Sequence, residues 1–263
     1  MKNRIFLFLF IPLVVYILLS SQILFLVFTE IVVCNALYEF YTMLNSNKKK
    51  VYLYPGMIIG FILPILVYYN PMIINIFLIA SIFFISIIQM LSDHEENFTE
   101  KLALTFFGIM YIPLLFSYAI RIQNFQNGGI IITYAFASVW ACDTFAYLIG
   151  SKFGKHKLTK ISPKKSIEGV VGGLIGVIIV SYIFRYFTPY IFKNIKLLPL
   201  SILLTFFAVF GDLLESKIKR DTHFKDSSNI LGGHGGFLDR FDSLLFVIPF
   251  IYFYWRLLCF INW

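Results

Sequence analysis

The sequence predicts an all-α integral membrane protein with about nine transmembrane helices. Of its 263 residues, 59% are apolar and only 14% are charged, whereas soluble domains carry about 25% charged residues. The mean hydropathy is +0.81. The apolar residues form continuous runs of about 20, the length that a helix needs to cross a bilayer. Barrel strands would instead alternate apolar and polar residues, so the runs predict helices.

Polar and turn-forming residues divide the apolar runs into nine candidate spans. The basic segment at residues 1–4 and the run after it resemble a secretory signal. However, no A-x-A cleavage site follows, and the apolar run continues to Val33, so a first transmembrane helix is predicted. The nine predicted spans are 5–20, 22–44, 51–69, 72–91, 102–121, 129–150, 169–190, 197–214 and 242–261.

The positions of lysine and arginine predict the orientation. With a cytoplasmic amino terminus, all but five of the 22 Lys and Arg lie on the cytoplasmic side, as the positive-inside rule requires. The two long loops, 151–168 and 215–241, then share that side. The net charge of +8 follows from the same rule and does not indicate a nucleic-acid partner. The five exceptions are Arg121, Arg185, Lys193, Lys196 and Arg256.

Polar groups are unevenly distributed along the chain, which predicts two parts in one membrane domain. Residues 1–100 are expected to be accessory transmembrane helices that face lipid or a second copy. Residues 101–263 are expected to be the catalytic membrane domain, including both long loops. The three cysteines lie in apolar runs without metal-ligand spacing and are interpreted as packing residues.

Four acidic residues lie in or beside apolar runs, where an ionised group is costly without a partner or a cavity. Asp143 and Asp212 are therefore candidates for a functional site. Glu30 and Glu39 have two interpretations, a functional site or structural ion pairs near the membrane face. The structural interpretation is favoured for these two glutamates.

The densest cluster of polar residues spans 210–243. If the eighth helix continues to Arg220, then Asp212, Glu215 and Lys219 share one face of it. Asp239 and Asp242 repeat the i, i+3 spacing at the start of the last helix. Carboxylates gathered in this way suit Mg²⁺, and the glycines between these helices let backbone N–H groups approach a phosphate.

A second cluster spans 143–169. Asp143 and Tyr147 share a helix face, and six lysines follow between 152 and 165. A basic loop that contacts anionic lipid is one interpretation. The turn that begins at Ser162 and leads into a helix start favours the other, in which hydroxyls and lysines meet phosphate oxygens. Both clusters lie on the predicted cytoplasmic side, so they indicate a site that handles the phosphates of a lipid and a nucleotide.

The stretch SKIKRDTHFKDSSNILGGHGGFLDRFD, residues 216–242, follows the pattern S-x-apolar-K-R-x4-K-D…H-G-G-x-x-D-R-x-D. It resembles the phosphatidate cytidylyltransferase (CDP-diacylglycerol synthase) family. The segment DTFAYLIG…FGKHKL…SPKKSIEG is also similar to that family, and the resemblance covers about residues 100–263. Three departures, at Gly232, Phe145 and Ser166, remove no charged group.

The resemblance implies that CTP and phosphatidic acid yield CDP-diacylglycerol and pyrophosphate in phospholipid biosynthesis. It implies Mg²⁺ as cofactor, with a second, monovalent cation left open. It also implies a homodimer, surrounded by membrane lipid. The short, single-domain form indicates a bacterial inner membrane, and the distribution of Lys and Arg predicts an active site that faces the cytoplasm.

The resemblance and the clustering together assign the site residues. The metal ligands are Asp212, Asp239 and Asp242, which with Lys219, Arg220 and Arg240 form the catalytic set. The predicted substrate-binding residues are Asp143, Ser162, Lys164, Lys165, Ser166, Ser216, Lys225, Asp226, His234, Gly235 and Gly236.

Two alternatives remain open at this point. A CTP-dependent polyprenol or lipid kinase would share a membrane site and a basic loop but would transfer the γ-phosphoryl group. A multi-spanning cation transporter would line its path with the acids inside the apolar runs. The 216–242 pattern argues against the kinase, and the clustering of polar residues at helix ends and in loops argues against the transporter. A CDP-alcohol phosphotransferase is disfavoured because its D-x-x-D-G-x-x-A-R pattern does not occur.

Overall fold

The computed structural model describes residues 12–47, 49–91, 97–159, 161–193, 195–228, 230 and 235–261, with side chains up to residue 258. Within these ranges the regular structure is helical, apart from an isolated antiparallel bridge between Lys157 and Ser166. The described helices are α1 (12–19), α2 (Gln22–Ser46), α3 (Leu53–Tyr69), α4 (Ile74–Met90), α5 (Phe98–Ile109), α6 (Leu115–Gln123), α7 (Gly128–Phe153), α8 (Ile167–Phe187), α9 (Pro189–Phe192), α10 (Leu197–Asp221) and α11 (Leu238–Ile261).

Seven helical segments of the described chain are long and apolar enough to cross a membrane. The predicted class, an all-α integral membrane protein, is therefore confirmed. The predicted count of nine spans stays a prediction, because α3 is apolar but has only 17 residues. The beginning of the first predicted span, residues 5–11, lies outside the described residues. The seven segments are Gln22–Ser46, Pro71–Met90, Phe98–Gln123, Gly128–Phe153, Ile167–Phe187, Leu197–Asp221 and Leu238–Leu258.

The last two long helices extend beyond their apolar segments. α10 was expected to end near residue 214 but continues to Asp221, and α11 begins at Leu238 rather than near residue 242. Helix ends follow backbone hydrogen bonding rather than hydropathy, so polar residues at the membrane boundary continue the helix. The extension of α10 confirms the predicted shared face of Asp212, Glu215 and Lys219.

A five-residue π turn, Met110–Leu114, joins α5 to α6 within one continuous apolar segment. The sequence predicted a single uninterrupted helix there. Pro113 lies inside the turn and has no N–H to donate, so the local hydrogen-bond pattern changes. Tyr111 in the same turn is buried beside α11, where its ring contacts that of Phe246.

α7 and α8 pack closely along their length through three glycines of α8. A Cβ atom added at Gly172, Gly173 or Gly176 would come within 2.8 Å of an atom of α7. Small residues in membrane helices permit this close approach of two backbones. The packing fixes the start of α8 against the carboxyl-terminal half of α7, which carries Asp143.

α11 contacts α2, α6, α7 and α10. Its central residues are buried, including Leu244, Val247 and Ile251, each no more than 1% exposed. Because α11 is held on several sides, its first turn has a fixed place relative to both α2 and α10. This first turn carries Asp239 and lies at the polar end of the bundle.

Candidate active site

Polar residues gather at the end of the bundle where the carboxyl-terminal halves of α7 and α10 meet the first turns of α8 and α11. A cavity of about 610 Å³ opens between α7, α8 and α10. Its lining residues with charged groups or hydroxyls are Asp143, Tyr147, Ser151, Ser162, Lys164, Lys165, Ser166 and Asp212. The two sequence clusters, predicted separately, are thus brought to one place.

Three carboxylates form what we call the acidic cluster: Asp212 and Glu215 of α10 and Asp242 of α11. One oxygen from each lies within 4.8 Å of the others. Glu215 is only 1% exposed and Asp242 only 9%. Three acids so close together repel one another unless cations or protons offset their charge, so the cluster is suited to hold a cation.

Two lysines form ion pairs with the acidic cluster. Lys165, in the loop before α8, forms an ion pair with Asp212. Lys219 lies one turn after Glu215 on α10, and its Nζ is 2.5 Å from Glu215 Oε2, without the geometry of a hydrogen bond. Ser216 Oγ donates a hydrogen bond of 3.3 Å to Asp212 Oδ1. Neither oxygen of Glu215 accepts a hydrogen bond from the described residues.

Asp239 shares Lys219 with the acidic cluster and takes its other hydrogen-bond donors from the chain before α11. Its Oδ1 accepts a hydrogen bond of 2.6 Å from Lys219 Nζ. Its Oδ2 accepts bonds from the backbone N–H and the hydroxyl of Ser227, both at 3.0 Å, and from the N–H of Gly236 at 2.8 Å. Lys219 therefore bridges the acidic cluster and Asp239, and the carboxylate of Asp239 is saturated with donors.

Glu39 of α2 is the second acid that holds the chain before α11. We call the described residues 227, 228, 230 and 235–237 of this segment the glycine-rich loop. The side chain of Glu39 is 1% exposed. It accepts hydrogen bonds from the hydroxyls of Ser227 and Ser228 and from the backbone N–H groups of Phe237 and Leu238. We call Glu39 and Asp239 the loop-holding pair.

The basic loop between α7 and α8 is held by its own backbone. Leu158 N–H donates to the carbonyl of Lys165, and Ile167 N–H donates to the carbonyl of His156, both at 2.9 Å. These two bonds close the loop into a hairpin-like turn. The turn places the side chains of Lys164 and Lys165 in the lining of the cavity.

Side chains complete this loop at the start of α8. Ser166 is the amino-terminal cap of α8, as its Oγ accepts a hydrogen bond of 3.0 Å from Gly169 N–H. The carboxylate of Glu168 accepts from the backbone N–H of His156 and lies 2.6 Å from His156 Nδ1. The predicted helix start after Ser162 is confirmed. The predicted helix end near Gly154 is also confirmed, because Gly154 caps α7.

Four of the predicted site residues lie at exposed positions around the site. They are Arg220, Lys225, Asp226 and Arg240. Arg220 Nη1 donates a hydrogen bond of 3.2 Å to the carbonyl of Phe224. The roles of these four residues stay predictions.

The glycines of the loop have defined roles, although His234 lies outside the described residues. Gly235 has φ of +76°, a left-handed conformation that favours glycine. Gly236 is pressed against Glu39 and Ser227, so a side chain there would overlap both. The close backbone turn predicted from the glycines is thus present in the described part of the loop.

Sequence reasoning left two residues out of the predicted site. Glu215 lies on the predicted polar face of α10, three residues after Asp212, and this spacing is the sequence signal for it. The structure buries Glu215 beside Asp212 and Asp242. Glu39 was interpreted as a structural ion pair with a basic group. Its described partners are instead neutral hydroxyl and amide donors, and they lie almost 200 residues further along the chain.

The fold and the site define a membrane-embedded enzyme with cation-binding and phosphate-binding groups at one end of a helical bundle. A family model with the description "Cytidylyltransferase family" matches residues 2–258 of this chain. This chain therefore belongs to the cytidylyltransferase family.

Three relatives show the extent of the similarity, and each is named phosphatidate cytidylyltransferase. The protein of Staphylococcus aureus (strain COL) is 37% identical over 242 residues, which cover 89% of this chain and 91% of the relative. The protein of Bacillus subtilis (strain 168) is 41% identical over 162 residues, which cover 60% of each chain. That of Staphylococcus haemolyticus (strain JCSC1435) is 41% identical over 175 residues, or 66% of each.

Proposed function

We propose that this protein is a nucleotidyltransferase that converts CTP and phosphatidic acid to CDP-diacylglycerol and pyrophosphate in phospholipid biosynthesis. The observation that carries the proposal is the acidic cluster with Lys165 and Lys219, at the polar end of an apolar bundle. A site at this depth lets a water-soluble nucleotide meet the phosphate of a lipid. Membership of the cytidylyltransferase family and the names of the relatives support the same reaction.

The reaction needs charge neutralisation and positioning rather than a covalent intermediate. An oxygen of the lipid phosphate attacks the α-phosphorus of CTP and forms a new P–O bond. The bond between the α-phosphorus and the α,β-bridging oxygen breaks, and its electron pair leaves with pyrophosphate. The lipid phosphate is already ionised near neutral pH, so no side chain has to remove a proton.

The acidic cluster fits a divalent cation, which we propose to be Mg²⁺. The carboxylate oxygens of Asp212, Glu215 and Asp242 converge within 4.8 Å, and those of Glu215 accept no hydrogen bond from the described residues. Oxygen ligands of this kind are those that Mg²⁺ prefers. When bound, the ion would offset the negative charge of the phosphates. Asp143 on the cavity wall is a fourth candidate ligand.

Asp239 is assigned a different role from the one that the resemblance implies. Both of its oxygens already accept hydrogen bonds, from Lys219, Ser227 and Gly236. We propose that Asp239 orients Lys219 and the glycine-rich loop. Lys219 then presents its charge to the phosphates between the acidic cluster and this loop.

The lysines and hydroxyls of the basic loop are proposed to bind the triphosphate. Lys164 and Lys165 line the cavity together with Ser162 and Ser166. The bond of Ser166 to Gly169 N–H and the backbone bonds of the hairpin-like turn hold these groups in place before substrate arrives. Preorganised cations and donors stabilise developing charge without a reorganisation cost at the moment of reaction.

An apolar groove of about 430 Å³ beside the cavity is proposed to take an acyl chain of the lipid. The groove lies between α8 and α10, and Val170 and Val209 line both it and the polar cavity. It extends past Leu174 and Ile202, away from the ends of the helices that carry the acids. A lipid whose phosphate lies in the cavity would therefore extend an acyl chain along these helices.

Filling this groove should change the selectivity for chain length. Leu174→Trp is expected to lower kcat/KM for dioleoyl phosphatidic acid about tenfold relative to a dibutanoyl analogue. A decrease of about tenfold corresponds to losing the burial of a few methylene groups. Ile179→Trp, at an exposed position of α8 outside the groove, is the matched control. Equal effects of Leu174→Trp on kcat/KM for both lipids would show that the groove does not bind the acyl chain.

We also propose a topology and an assembly. Nine spans with a cytoplasmic amino terminus place the acidic cluster and both long loops on the cytoplasmic side of a bacterial inner membrane, because most lysines and arginines then lie there. Residues 1–100 supply accessory helices and residues 101–263 the catalytic part, with one exception at Glu39. A homodimer is proposed from the family resemblance.

The test of the reaction is pyrophosphate release by the detergent-purified chain given CTP, Mg²⁺ and phosphatidic acid, with each component omitted in turn. Release that requires all three, together with formation of a lipid that carries the CMP group, is the expected result. Formation of CDP in place of pyrophosphate would identify a kinase and overturn the proposal.

A further inference from the structure

Glu39 is buried in α2, yet its contacts are not those of an ion pair. Oε1 accepts hydrogen bonds from Ser228 Oγ at 2.5 Å and Phe237 N–H at 2.9 Å. Oε2 accepts from Ser227 Oγ and Leu238 N–H, both at 2.9 Å. Each oxygen thus takes one hydroxyl from the beginning of the glycine-rich loop and one amide from its end.

The two amides belong to the start of α11. The first N–H groups of a helix have no acceptor within the helix, and a negative charge is favourable near that end. Glu39 supplies both the acceptors and the charge from a different helix, and therefore caps α11. It holds the beginning of α11 and the beginning of the loop to the same carboxylate.

Two features make this arrangement tight. Gly236 lies so close to Glu39 that a Cβ atom there would overlap the carboxylate. Ser227 Oγ lies within 3.0 Å of both Glu39 Oε2 and Asp239 Oδ2, so one hydroxyl joins the two acids of the loop-holding pair. A shift of Glu39 would move Asp239, and through it Lys219.

We propose that Glu39 is a positioning residue for the cytidylyl transfer, which holds the glycine-rich loop and the first turn of α11 in the reactive arrangement. The inference rests on the proposed function and extends it to the amino-terminal helices. Glu39 does not touch the substrate and acts through Asp239 and Lys219, with Asp242 one turn further along α11. α2 lies in the part of the chain expected to be accessory, but through Glu39 it belongs to the catalytic arrangement.

The test compares Glu39→Gln with Glu30→Gln. The amide that replaces the carboxylate of Glu39 keeps the shape of the side chain, but its NH₂ group cannot accept from a backbone N–H, so Phe237 or Leu238 loses its acceptor. Glu30 lies on the same helix, and its oxygens are buried without a hydrogen bond from the described residues. It therefore makes a matched carboxylate-to-amide control outside the loop.

Glu39→Gln is expected to lower kcat about 10- to 100-fold, as small misplacements of reactive groups do, with KM for phosphatidic acid within about twofold. Amide hydrogen exchange at Phe237 and Leu238 should become about tenfold faster, while exchange in α7 and α8 stays the same. Glu30→Gln should change neither readout. Ser228→Ala, which removes a single donor, should show the same pattern with a smaller effect and so tests the inference if Glu39→Gln folds poorly.

Unchanged exchange at Phe237 and Leu238 with an unchanged kcat in Glu39→Gln would overturn the inference. So would faster exchange throughout the bundle with a matching loss of folded protein, which would identify a general structural role. The exchange readout does not depend on the reaction. Failure of the proposed function would appear separately, as lack of pyrophosphate release by the unmodified chain.

Discussion

The acidic cluster and the loop-holding pair lie in the same polar end of the bundle and differ in their surroundings. Glu39 and Asp239 each accept several hydrogen bonds, mostly from neutral hydroxyls and amides of the glycine-rich loop. In the acidic cluster, Glu215 is 1% exposed, accepts no hydrogen bond from a hydroxyl or an amide of the described residues, and is paired with Lys219.

The difference separates two uses of a buried acid. A carboxylate whose lone pairs are filled by fixed donors is held in place and holds its donors, so it organises the backbone around it. Carboxylates that converge on one another repel. The two lysines beside the acidic cluster offset only part of the charge of its three acids, so the cluster attracts a cation. Sequence spacing alone does not distinguish the two, because Asp239 and Asp242 have the same spacing as Asp212 and Glu215.

The largest expected effect comes from removing a charge in the acidic cluster. Asp212→Asn should lower kcat at least about 100-fold, because a proposed ligand of the divalent cation becomes a neutral amide. Pyrophosphate release at saturating CTP and lipid measures this loss. Activity within about tenfold of the unmodified chain would show that Asp212 belongs with the loop-holding residues and would break the comparison.

Lys219 joins the two groups of acids, and its removal should affect both stability and activity. Lys219→Met leaves Glu215 buried without its ion pair and should cost about 3 kcal/mol of stability. Thermal unfolding in detergent measures this, with the exposed Lys217→Met as control. Adding Glu215→Gln should restore most of the stability but no activity. If the double variant is as unstable as Lys219→Met alone, the ion pair is not the source of the loss.

A smaller effect is expected at Lys165, which pairs with Asp212 at the edge of the cavity. Lys165→Ala should raise KM for CTP about tenfold, since one charged contact to the triphosphate is lost. It should change stability by less than about 1 kcal/mol, because the pair is partly exposed. Steady-state kinetics test this against Lys152→Ala, an exposed lysine at the end of α7. An equal rise of KM in both variants would point to general attraction by the basic loop.

Much of the fold follows from local patterns in the sequence. Apolar runs of membrane length predict the long helices, and the i, i+3 and i+7 positions of Asp212, Glu215 and Lys219 predict their shared face on α10. Ser166 and Gly154 mark helix ends through local capping chemistry, which nearby residues determine. These features need no knowledge of distant parts of the chain.

The rest of the site depends on long-range packing. The donors to Glu39 lie 188 to 199 residues further along the chain, so no local pattern reveals them. The separation of Asp239 from the acidic cluster also depends on tertiary contacts, with Lys219 and Ser227. The π turn around Pro113 arises where α5 and α6 adjust within one apolar segment, which hydropathy does not detect.

The most direct test of the division between the two groups of acids is a Mn²⁺ titration of the detergent-purified chain, followed by electron paramagnetic resonance of the free ion. The account predicts that Asp242→Asn weakens Mn²⁺ binding at least about tenfold, whereas Asp239→Asn changes it less than about threefold, since Asp239 is occupied by Lys219 and the loop. Equal weakening in both variants, or weakening in Asp239→Asn alone, would contradict the account.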